Sequence, residues 1–340
     1  MVFHSKIMAL GLLKRVSMQD LVPPKAQNLR ISVVIPHLNQ PAMLARCLAS
    51  LAAGHRQADE IIVVDNGSVS QPSQICASYA NVCLLHEATP GPGPARNLGV
   101  ENSVGDVLAF IDADCLADPD WLAAAATEMA YPDAVILGGD VRIAYVDPGR
   151  LTMLEAYESI YAYRMDRYIA REGFTGTGNL VVRRDILARV GPFAGIGVAE
   201  DIDWGHRATR LGLRIKFVAD MKVFHPARTK YPELKSKWDR HIAHAFMLTG
   251  RRPVRLAVWG AKIVAMTMSP VFEIPQILVS SRIRGPRARL LAFVCLAKIR
   301  LYRAQMMAWL LVGGDPSVLS GSWNRPATAN SVNSVKPPPL

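Results

Sequence analysis

The sequence predicts an α/β fold, a doubly wound, mostly parallel sheet followed by a C-terminal extension of apolar and basic helices. Short β-branched runs alternate with segments of helical periodicity in the first 130 or so residues, as in strand–helix–strand units. From Leu256 onward the pattern becomes helical, apolar and basic. The 340 residues, 50% of them hydrophobic and 20% charged, suffice for a sizeable core.

Four buried strands and three intervening helices are predicted in the first half. The strands are Ile31–Pro36, Glu60–Asp65, Val82–His86 and Val107–Asp112. The helices are Pro41–Ala53, Pro94–Ser103 and Pro119–Met129, each with a proline at its start. Acidic or glycine-rich residues follow several of these strands, at the sheet edge where ligands bind in such folds.

The second half is predicted to complete the same sheet. Its predicted strands are Val135–Tyr145, Gly178–Arg183, Ile215–Val218 and Lys222–His225, and its predicted helices are Leu151–Ile169 and Asp201–Leu211. We expect four regions: an N-terminal tail over 1–29, a main domain over 30–250, a basic apolar helical region over 251–313, and a disordered Ser-, Asn- and Pro-rich tail over 314–340. The apolar run Ile7–Leu13 is too short to span a bilayer and lacks a convincing cleavage site, so no signal peptide is predicted.

The net charge and the cysteine content indicate which partners the protein binds and in which cellular compartment it resides. The chain carries a net charge of +11, and residues 251–303 hold eleven lysines or arginines against the single acid Glu273. Because long aliphatic runs separate these basic residues, the pattern favours a membrane surface over nucleic acid. The five cysteines are scattered without metal-site spacing, which predicts a reduced, cytoplasmic protein without a disulfide scaffold.

The most specific candidate site is Asp112-Ala-Asp114, directly after the fourth predicted strand. Two carboxylates on one turn can bind one hard divalent cation, Mg²⁺ or Mn²⁺, which would in turn hold a diphosphate. The alternative is a pair of solvated turn aspartates.

Three further segments carry polar side chains that suit a ligand. Asp65, at the start of Asp-Asn-Gly-Ser, could accept a hydrogen bond from a nucleobase, although Asn-Gly is also a common turn pair. Arg96 lies in a Gly- and Pro-rich loop that is neither a P-loop nor a dinucleotide fingerprint. The Glu200-Asp201 pair could supply a general base, or could simply favour a helix N-terminus. His225, at a strand end, is a metal-ligand candidate or a structural histidine.

The order of these motifs resembles the family 2 glycosyltransferases of the GT-A fold over roughly Ile31 to Arg240. The matching motifs are IPxxN, DNGS, a glycine-rich ARN, DAD, GTGNLVVRRD, EDID and a strand-end histidine. The resemblance implies transfer of a sugar from a nucleoside diphosphate sugar to a hydroxyl acceptor, with inversion and with Mg²⁺ or Mn²⁺.

The resemblance also implies roles for individual residues. It assigns the donor nucleotide to Pro36, Asp65, Arg96 and Asp112, with Asp65 and Arg96 on the base. It assigns the metal to Asp114, Asp112 and His225, the catalytic base to Asp201 with its neighbour Glu200, and the acceptor side to Asn179 and Trp204.

One departure from the family indicates transfer of a single sugar. Processive members carry Gln-x-x-Arg-Trp after the acidic pair, whereas this chain has Lys235-Ser-Lys-Trp238. UDP-sugars are the favoured donors, and a saccharide or lipid-linked acceptor in cell-surface polysaccharide or glycolipid synthesis is expected. The alternatives are a nucleotidyltransferase, for which a basic glycine-rich loop is missing, and a non-catalytic membrane-bound scaffold, against which the complete acidic set argues.

The basic apolar region predicts peripheral attachment to the inner face of the cell membrane. The segments Leu256–Ser281 and Leu290–Val312 are long enough to span a bilayer, but each contains charged residues that make a simple span costly. The basic stretch Arg282–Arg289 between them suits anionic head groups. The alternative is that both segments are ordinary core helices.

Overall fold

The computed structural model describes residues 29–249 and 253–320, which form eight strands and thirteen helices. The strands are β1 Ile31–His37, β2 Glu60–Asp65, β3 Val82–His86, β4 Val107–Ile111, β5 Leu116–Ala117, β6 Ile136–Ala144, β7 Asn179–Arg183 and β8 Ile215–Pro226. The first eight helices are α1 Pro41–Ala52, α2 Ser73–Ala77, α3 Pro92–Glu101, α4 Trp121–Met129, α5 Met153–Tyr161, α6 Met165–Glu172, α7 Arg184–Val190 and α8 Glu200–Arg210. The remaining five are α9 Tyr231–Thr249, α10 Pro253–Phe272, α11 Ile274–Val279, α12 Pro286–Leu311 and α13 Pro316–Ser320.

All eight strands belong to one sheet, in the order β3-β2-β1-β4-β7-β6-β8-β5. The pairs β1–β2, β1–β4 and β2–β3 are parallel, whereas β7 pairs antiparallel with both β4 and β6. Every residue of β4 is buried, as expected for an apolar strand covered on both faces. The predicted α/β fold is confirmed, and the second half of the chain completes the sheet as expected.

The described chain divides into two compact units. The first contains residues 29–113, 117–139 and 168–222, and the second contains 114–116, 140–167, 223–249 and 253–320. In the first unit, α3 lies close against the parallel strands because of Gly99. A Cβ at Gly99 would stand 2.5 Å from Val34 Cγ1, so a larger residue would force the helix off β1. This packing fixes the position of Arg96 in the same helix.

The second unit is built around α12. Its buried residues Ala292, Leu296 and Ile299 belong to one core with residues of α5, α9 and α10. Trp259 of α10 donates a hydrogen bond from Nε1 to the Met307 carbonyl at 3.0 Å, so its one polar atom is satisfied in the core. Arg282 donates to the buried Asp140 carboxylate at 2.7 Å. This ion pair anchors the start of the predicted basic stretch within the second unit.

Three predicted elements differ from the structure. The single helix Leu151–Ile169 is two helices, α5 and α6, because Tyr163 between them adopts a positive φ of 50° that a continuous helix does not allow. The two short strands at 215–218 and 222–225 are one continuous strand, β8. The polar segment around Asp220 does not interrupt it, because alternate residues such as Met221 and Val223 remain buried.

The predicted disordered tail over 314–340 is wrong for its first residues, where α13 forms. Asp315 caps this helix by accepting hydrogen bonds from the Ser317 amide at 2.9 Å and the Ser317 hydroxyl at 2.7 Å. Leu319 is buried in the core of the second unit, which supplies the packing that holds the helix. The predictions for residues 321–340 and for residues 1–28 lie outside the described residues.

Candidate active site

The buried Arg96 of α3 connects two of the predicted acidic residues in the first unit. Its Nη2 donates to Asp112 Oδ1 at 2.7 Å, and its Nη1 donates to Glu200 Oε1 at 2.9 Å. The Arg96 side chain is only 3% exposed. The guanidinium is enclosed and both terminal nitrogens donate to carboxylates, and the assignment of Arg96 to the donor base stays a prediction. Its geometry is that of a residue that positions the acids.

The Asp112 carboxylate, just beyond β4, remains accessible beside this ion pair. Its side chain is 36% exposed, although Oδ1 accepts from Arg96. The glycine loop before β7 passes directly against it, since a Cβ at Gly178 would stand 2.5 Å from Asp112 Oδ2. Only glycine permits this approach. The Thr-Gly-Thr-Gly-Asn motif thus shapes one wall around the Asp112 carboxylate, which keeps room for a ligand.

The two acids at the start of α8 have different surroundings. Glu200 is held by Arg96, whereas Asp201 Oδ1 accepts a hydrogen bond from the Ile202 amide at 2.8 Å and has no ion pair within the described chain. Burial raises the pKa of Asp201, and the negative charge of Glu200 raises it further, against a smaller opposing effect of Arg96. A carboxylate with a raised pKa is a stronger proton acceptor than an ordinary aspartate. Asp201 therefore suits a general base better than Glu200 does.

Asp65 lies at the end of β2, opposite His37 in the parallel pairing with β1. The Gln40 amide donates to His37 Nε2 at 3.2 Å, so His37 Nδ1 carries the proton that it donates to Asp65 Oδ1 at 2.9 Å. The Ser68 amide donates to Asp65 Oδ2 at 3.1 Å. Burial alone would raise the pKa of Asp65, but the hydrogen bonds from Ser68 and His37 outweigh it and lower the pKa.

These contacts enclose the Asp65 carboxylate, and its assignment to the donor base stays a prediction. Its side chain is 1% exposed, so the carboxylate offers no accessible surface to a nucleobase in this structure. Asp65 instead ties the ends of β1 and β2 to the turn that follows. Pro36 lies beside it in β1, half-buried and opposite Val64 in the pairing with β2. Its assignment to the nucleotide pocket stays a prediction.

The two residues predicted on the acceptor side, Asn179 and Trp204, are core residues of the first unit in this structure. Asn179 is fully buried and satisfied, because its Oδ1 accepts from Trp121 Nε1 at 2.8 Å and its Nδ2 donates to the Met221 carbonyl at 2.9 Å. Trp204 is 1% exposed, and its Nε1 donates to the Gly191 carbonyl at 3.1 Å. Neither side chain offers surface to an acceptor.

The second unit brings Asp114, Cys115 and His225 together. One ligand atom from each lies within 4.8 Å of the others, and no other such group was found among residues 29–249 and 253–320. His225 Nδ1 donates to the Pro226 carbonyl at 2.6 Å, and its Nε2 lies 3.5 Å from Asp114 Oδ2. A backbone-anchored imidazole of this kind is typical of metal sites. The group joins Asp114 and His225 as predicted but contains Cys115 and not Asp112.

Cys115 and Tyr163 support this group and were missed by the sequence analysis. The buried Cys115 thiol donates to Asp114 Oδ1 at 3.8 Å, which orients the carboxylate. The Tyr163 hydroxyl lies 3.2 Å from His225 Nδ1 and 3.1 Å from Nε2, with the two rings 4.6 Å apart between centroids. The adjacency of Cys115 to Asp114 was a usable sequence signal. Tyr163 carried none, because its place depends on the break between α5 and α6.

Known proteins resemble this chain in both sequence and structure. The model of the family described as glycosyl transferase family 2 matches residues 32–191. Glycosyltransferase AglE from Haloferax volcanii is 31% identical over 242 residues, which are 67% of this chain and 79% of that protein. The pre-mycofactocin glycosyltransferase of Mycobacterium tuberculosis is 24% identical over 270 residues, and this chain spans about half (54%) of its length.

Two solved structures similar to this chain contain a nucleotide and a metal. One is the mannosyltransferase PcManGT from Pyrobaculum calidifontis in complex with GDP-Man and Mn²⁺, with a TM-score of 0.48, 18% identity, and coverage of 86% of this chain and 78% of that chain. The other is glucosyl-3-phosphoglycerate synthase from Mycobacterium tuberculosis in complex with Mg²⁺ and UDP. It has a TM-score of 0.46, 24% identity, and coverage of 64% of this chain and 78% of that chain.

Proposed function

Because this chain belongs to glycosyl transferase family 2 and is a nucleotide-sugar-dependent glycosyltransferase, we propose that it moves one sugar to an acceptor hydroxyl in a single, inverting displacement with Asp201 as the base. The observation that carries this proposal is the contrast within the acidic pair of α8. Arg96 forms an ion pair with Glu200, whereas Asp201 has no ion pair in the described chain and its pKa is raised. A general base needs an unpaired, deprotonated carboxylate of this kind.

In the proposed reaction, Asp201 takes the proton from the acceptor hydroxyl as its oxygen attacks the anomeric carbon of the donor. The bond between the acceptor oxygen and this carbon forms while the bond to the diphosphate oxygen breaks. The electron pair of the breaking bond leaves with the nucleoside diphosphate. Arg96 fixes the Glu200 and Asp112 carboxylates, so the acids do not need to reorganise during the reaction. One displacement without a covalent enzyme intermediate inverts the anomeric configuration.

We further propose that Asp114 and His225 hold a divalent metal. The residues fit such an ion, since Nε2 of the backbone-anchored imidazole and Oδ2 of the Asp114 carboxylate lie 3.5 Å apart, close enough to bind one cation. An oxygen and an imidazole nitrogen suit Mn²⁺ or Mg²⁺, while the Cys115 thiol, which donates to Asp114, serves to orient it. A bound ion of this kind supplies positive charge for the diphosphate of the leaving group.

A membrane-surface location is the third part of the proposal, at the cytoplasmic face of the cell membrane. The helical segment Val254–Val279 is long and apolar enough to cross a membrane. Only 11% of its most apolar stretch of 18 residues is buried. Phe272 is 78% exposed and Leu278 is 57% exposed. Because Lys262 and Glu273 interrupt the segment, it suits a helix pair that lies on the bilayer better than a span.

This location supports an acceptor that is itself membrane-borne. We propose a saccharide or lipid-linked acceptor in the synthesis of cell-surface polysaccharide or glycolipid, with a UDP-sugar as the donor. The exposed apolar surface carries this part of the proposal, because an enzyme that acts on soluble acceptors gains nothing from leaving such side chains in water.

A product assay tests the proposed reaction. The full-length protein is incubated with UDP-, GDP- and dTDP-sugars and Mn²⁺, and the released nucleotide is identified by chromatography. We expect a nucleoside diphosphate, with one donor clearly preferred and with faster release when a membrane extract supplies acceptors. Release of pyrophosphate would establish a nucleotidyltransferase instead. Donor binding without release in the presence of every extract would establish a non-catalytic protein.

A further inference from the structure

A large cavity lies between α9, α10 and α12 of the second unit. Its volume is about 550 Å³, in the range of small-molecule sites. Its walls combine four basic side chains with large apolar ones, and the residues that matter here are Trp238, His241, Lys262, Met266, Arg300 and Arg303. His241 and Lys262 are exposed, whereas Arg300 and Arg303 are half-buried. The cavity therefore opens at a basic rim and continues to a basic floor.

The floor of this cavity carries positive charge with little compensation. The Arg303 guanidinium stacks on Trp238, with Cζ 3.5 Å from the ring centroid. Arg303 has no carboxylate within ion-pair distance in the described chain, and its buried Nε has no hydrogen-bond partner there. Burial lowers the pKa of Arg303 to about 10, and the neighbouring Arg300 contributes to this. Among the described residues, Arg300 reaches one carboxylate, that of Glu273, at 3.4 Å.

Buried positive charges without carboxylate partners are costly unless an anion compensates them. Planar guanidinium groups favour phosphate, which can accept two parallel hydrogen bonds from one arginine. Two half-buried arginines with a lysine and a histidine at the rim therefore point to a phosphate group as the ligand. The aromatic and thioether walls beside them indicate that the same ligand also carries an apolar part.

The exposed face of α10 shows where an apolar chain would continue. Val258, Ala265 and Phe272 recur every seven residues and so form one stripe along the helix. Ala265 also lines the cavity, while Val258 is 51% exposed and Phe272 is 78% exposed. An apolar stripe thus borders the basic cavity directly, within one helix.

We propose that this cavity binds the phosphate head group of an anionic amphiphile whose apolar chain lies along the α10 stripe. The phosphate can belong to a membrane phospholipid or to a lipid-linked sugar acceptor, since both present the same chemistry to the arginines. Residues of the second unit alone form the site, and no step of the proposed displacement uses them.

Calorimetric titration of the full-length protein with octyl phosphate, below its micelle concentration, tests this site. Inorganic phosphate and octyltrimethylammonium are titrated in parallel. We expect octyl phosphate to bind at one site and at least tenfold more tightly than inorganic phosphate, and the cationic amphiphile not to bind. If inorganic phosphate bound as tightly as octyl phosphate, the proposal that the ligand carries an apolar chain would be refuted. If octyltrimethylammonium bound as tightly as octyl phosphate, the proposal that the site recognises a phosphate would be refuted. If UDP with Mn²⁺ displaced octyl phosphate, octyl phosphate would bind in the donor site, and the proposal that it binds in this cavity would be refuted.

Three variants locate the binding. Arg303→Gln should weaken octyl phosphate roughly 10- to 100-fold, as expected for loss of a charge-assisted hydrogen bond. Lys262→Gln, at the exposed rim, should weaken it severalfold without affecting the fold, which keeps the test decisive if Arg303→Gln is unstable. Arg189→Gln removes the same charge from an exposed helix position in the first unit and should leave the affinity unchanged. Equal affinity in the Lys262 and Arg303 variants and in the unsubstituted protein would refute the site.

Discussion

The two units differ in how they satisfy their charged and apolar side chains. In the first unit, buried charges have partners nearby: Arg96 joins two carboxylates, and His37 donates to Asp65. In the helices of the second unit, Arg303 is half-buried without an ion pair in the described chain, and Phe272 is 78% exposed. Beside these pairs, the acids Asp112 and Asp201 of the first unit remain accessible. In the described part of the second unit, the positive charge of Arg303 has no carboxylate partner and several apolar side chains are exposed.

This difference shows that pairing and exposure, more than residue type, separate structural from functional groups. Arg96 and Asp65 both belong to sequence motifs, yet in the structure their hydrogen bonds connect neighbouring segments of the first unit. Asp201, one residue from the paired Glu200, has no ion pair in the described chain, and we propose it as the base. The following predictions test whether this distinction holds.

The largest effect is expected for Asp201→Asn. The variant should bind the donor normally but lose sugar transfer by roughly 10²–10⁴-fold, because the acceptor proton has no base. Glu200→Gln is the matched control and should lose less than about tenfold, since Arg96 already neutralises this acid. Steady-state transfer rates and donor titration measure both. A dead Glu200→Gln beside an active Asp201→Asn would reverse the assignment.

The pH dependence sharpens the same distinction. A base must be deprotonated, so kcat/KM should fall as the pH is lowered through the pKa of Asp201. Since burial and Glu200 raise that pKa, the fall should begin at a higher pH than for an ordinary aspartate. The residual activity of Asp201→Asn should lack this acidic limb.

The next largest effect is expected at the Asp114–His225 group. Asp114→Asn should weaken Mn²⁺ binding and slow transfer by at least about 100-fold, since even residues that only support a metal ligand contribute 10- to 100-fold. Electron paramagnetic resonance measures free Mn²⁺ during the titration. Asp220→Asn, at a side chain 82% exposed, should change neither quantity. Full activity of Asp114→Asn in EDTA would exclude the metal.

Arg96→Met tests the structural side of the comparison. Removing the guanidinium leaves Asp112 and Glu200 without their cation, and the free energy of unfolding should fall by about 3 kcal/mol. This is the lower end of the usual range because both acids are partly exposed. Lys216→Met removes the exposed ion pair with Glu128 and should change the free energy of unfolding by less than about 1 kcal/mol. Equal losses in urea unfolding would show that the Arg96 pairs contribute no more than a surface pair.

Sequence patterns predicted those features of the molecule that depend on residues close together in the sequence. β1, β2 and β4 follow from continuous apolar runs, and Asp112, Asp114 and Asp201 follow from motifs at the ends of elements. Long-range partners decided the rest. Asn179 is buried because Trp121, 58 residues away, donates to it, and Asp65 is enclosed because the parallel register places His37 opposite it. No pattern within a single segment contains those pairings.

The smallest predicted effect concerns the exposed apolar surface of the second unit. In flotation with vesicles of phosphatidylglycerol and phosphatidylcholine, Phe272→Ser should lower the bound fraction, with a partition coefficient reduced roughly tenfold by the lost apolar burial. Val69→Ser is the control. The Val69 side chain is 96% exposed, but Val69 belongs to the first unit and is distant in sequence from Phe272. Absence of the unsubstituted protein from the vesicle fraction at low salt would refute the membrane location.

The proposed single displacement is tested most directly by the configuration of the released sugar. An α-linked donor such as UDP-glucose, or whichever donor the product assay selects, is hydrolysed slowly by the full-length protein without acceptor. Proton NMR identifies the first anomer before mutarotation. Direct attack assisted by Asp201 predicts that the β-anomer appears first and that Asp201→Asn abolishes its formation. Initial release of the α-anomer would contradict a single displacement and the role of Asp201 as its base.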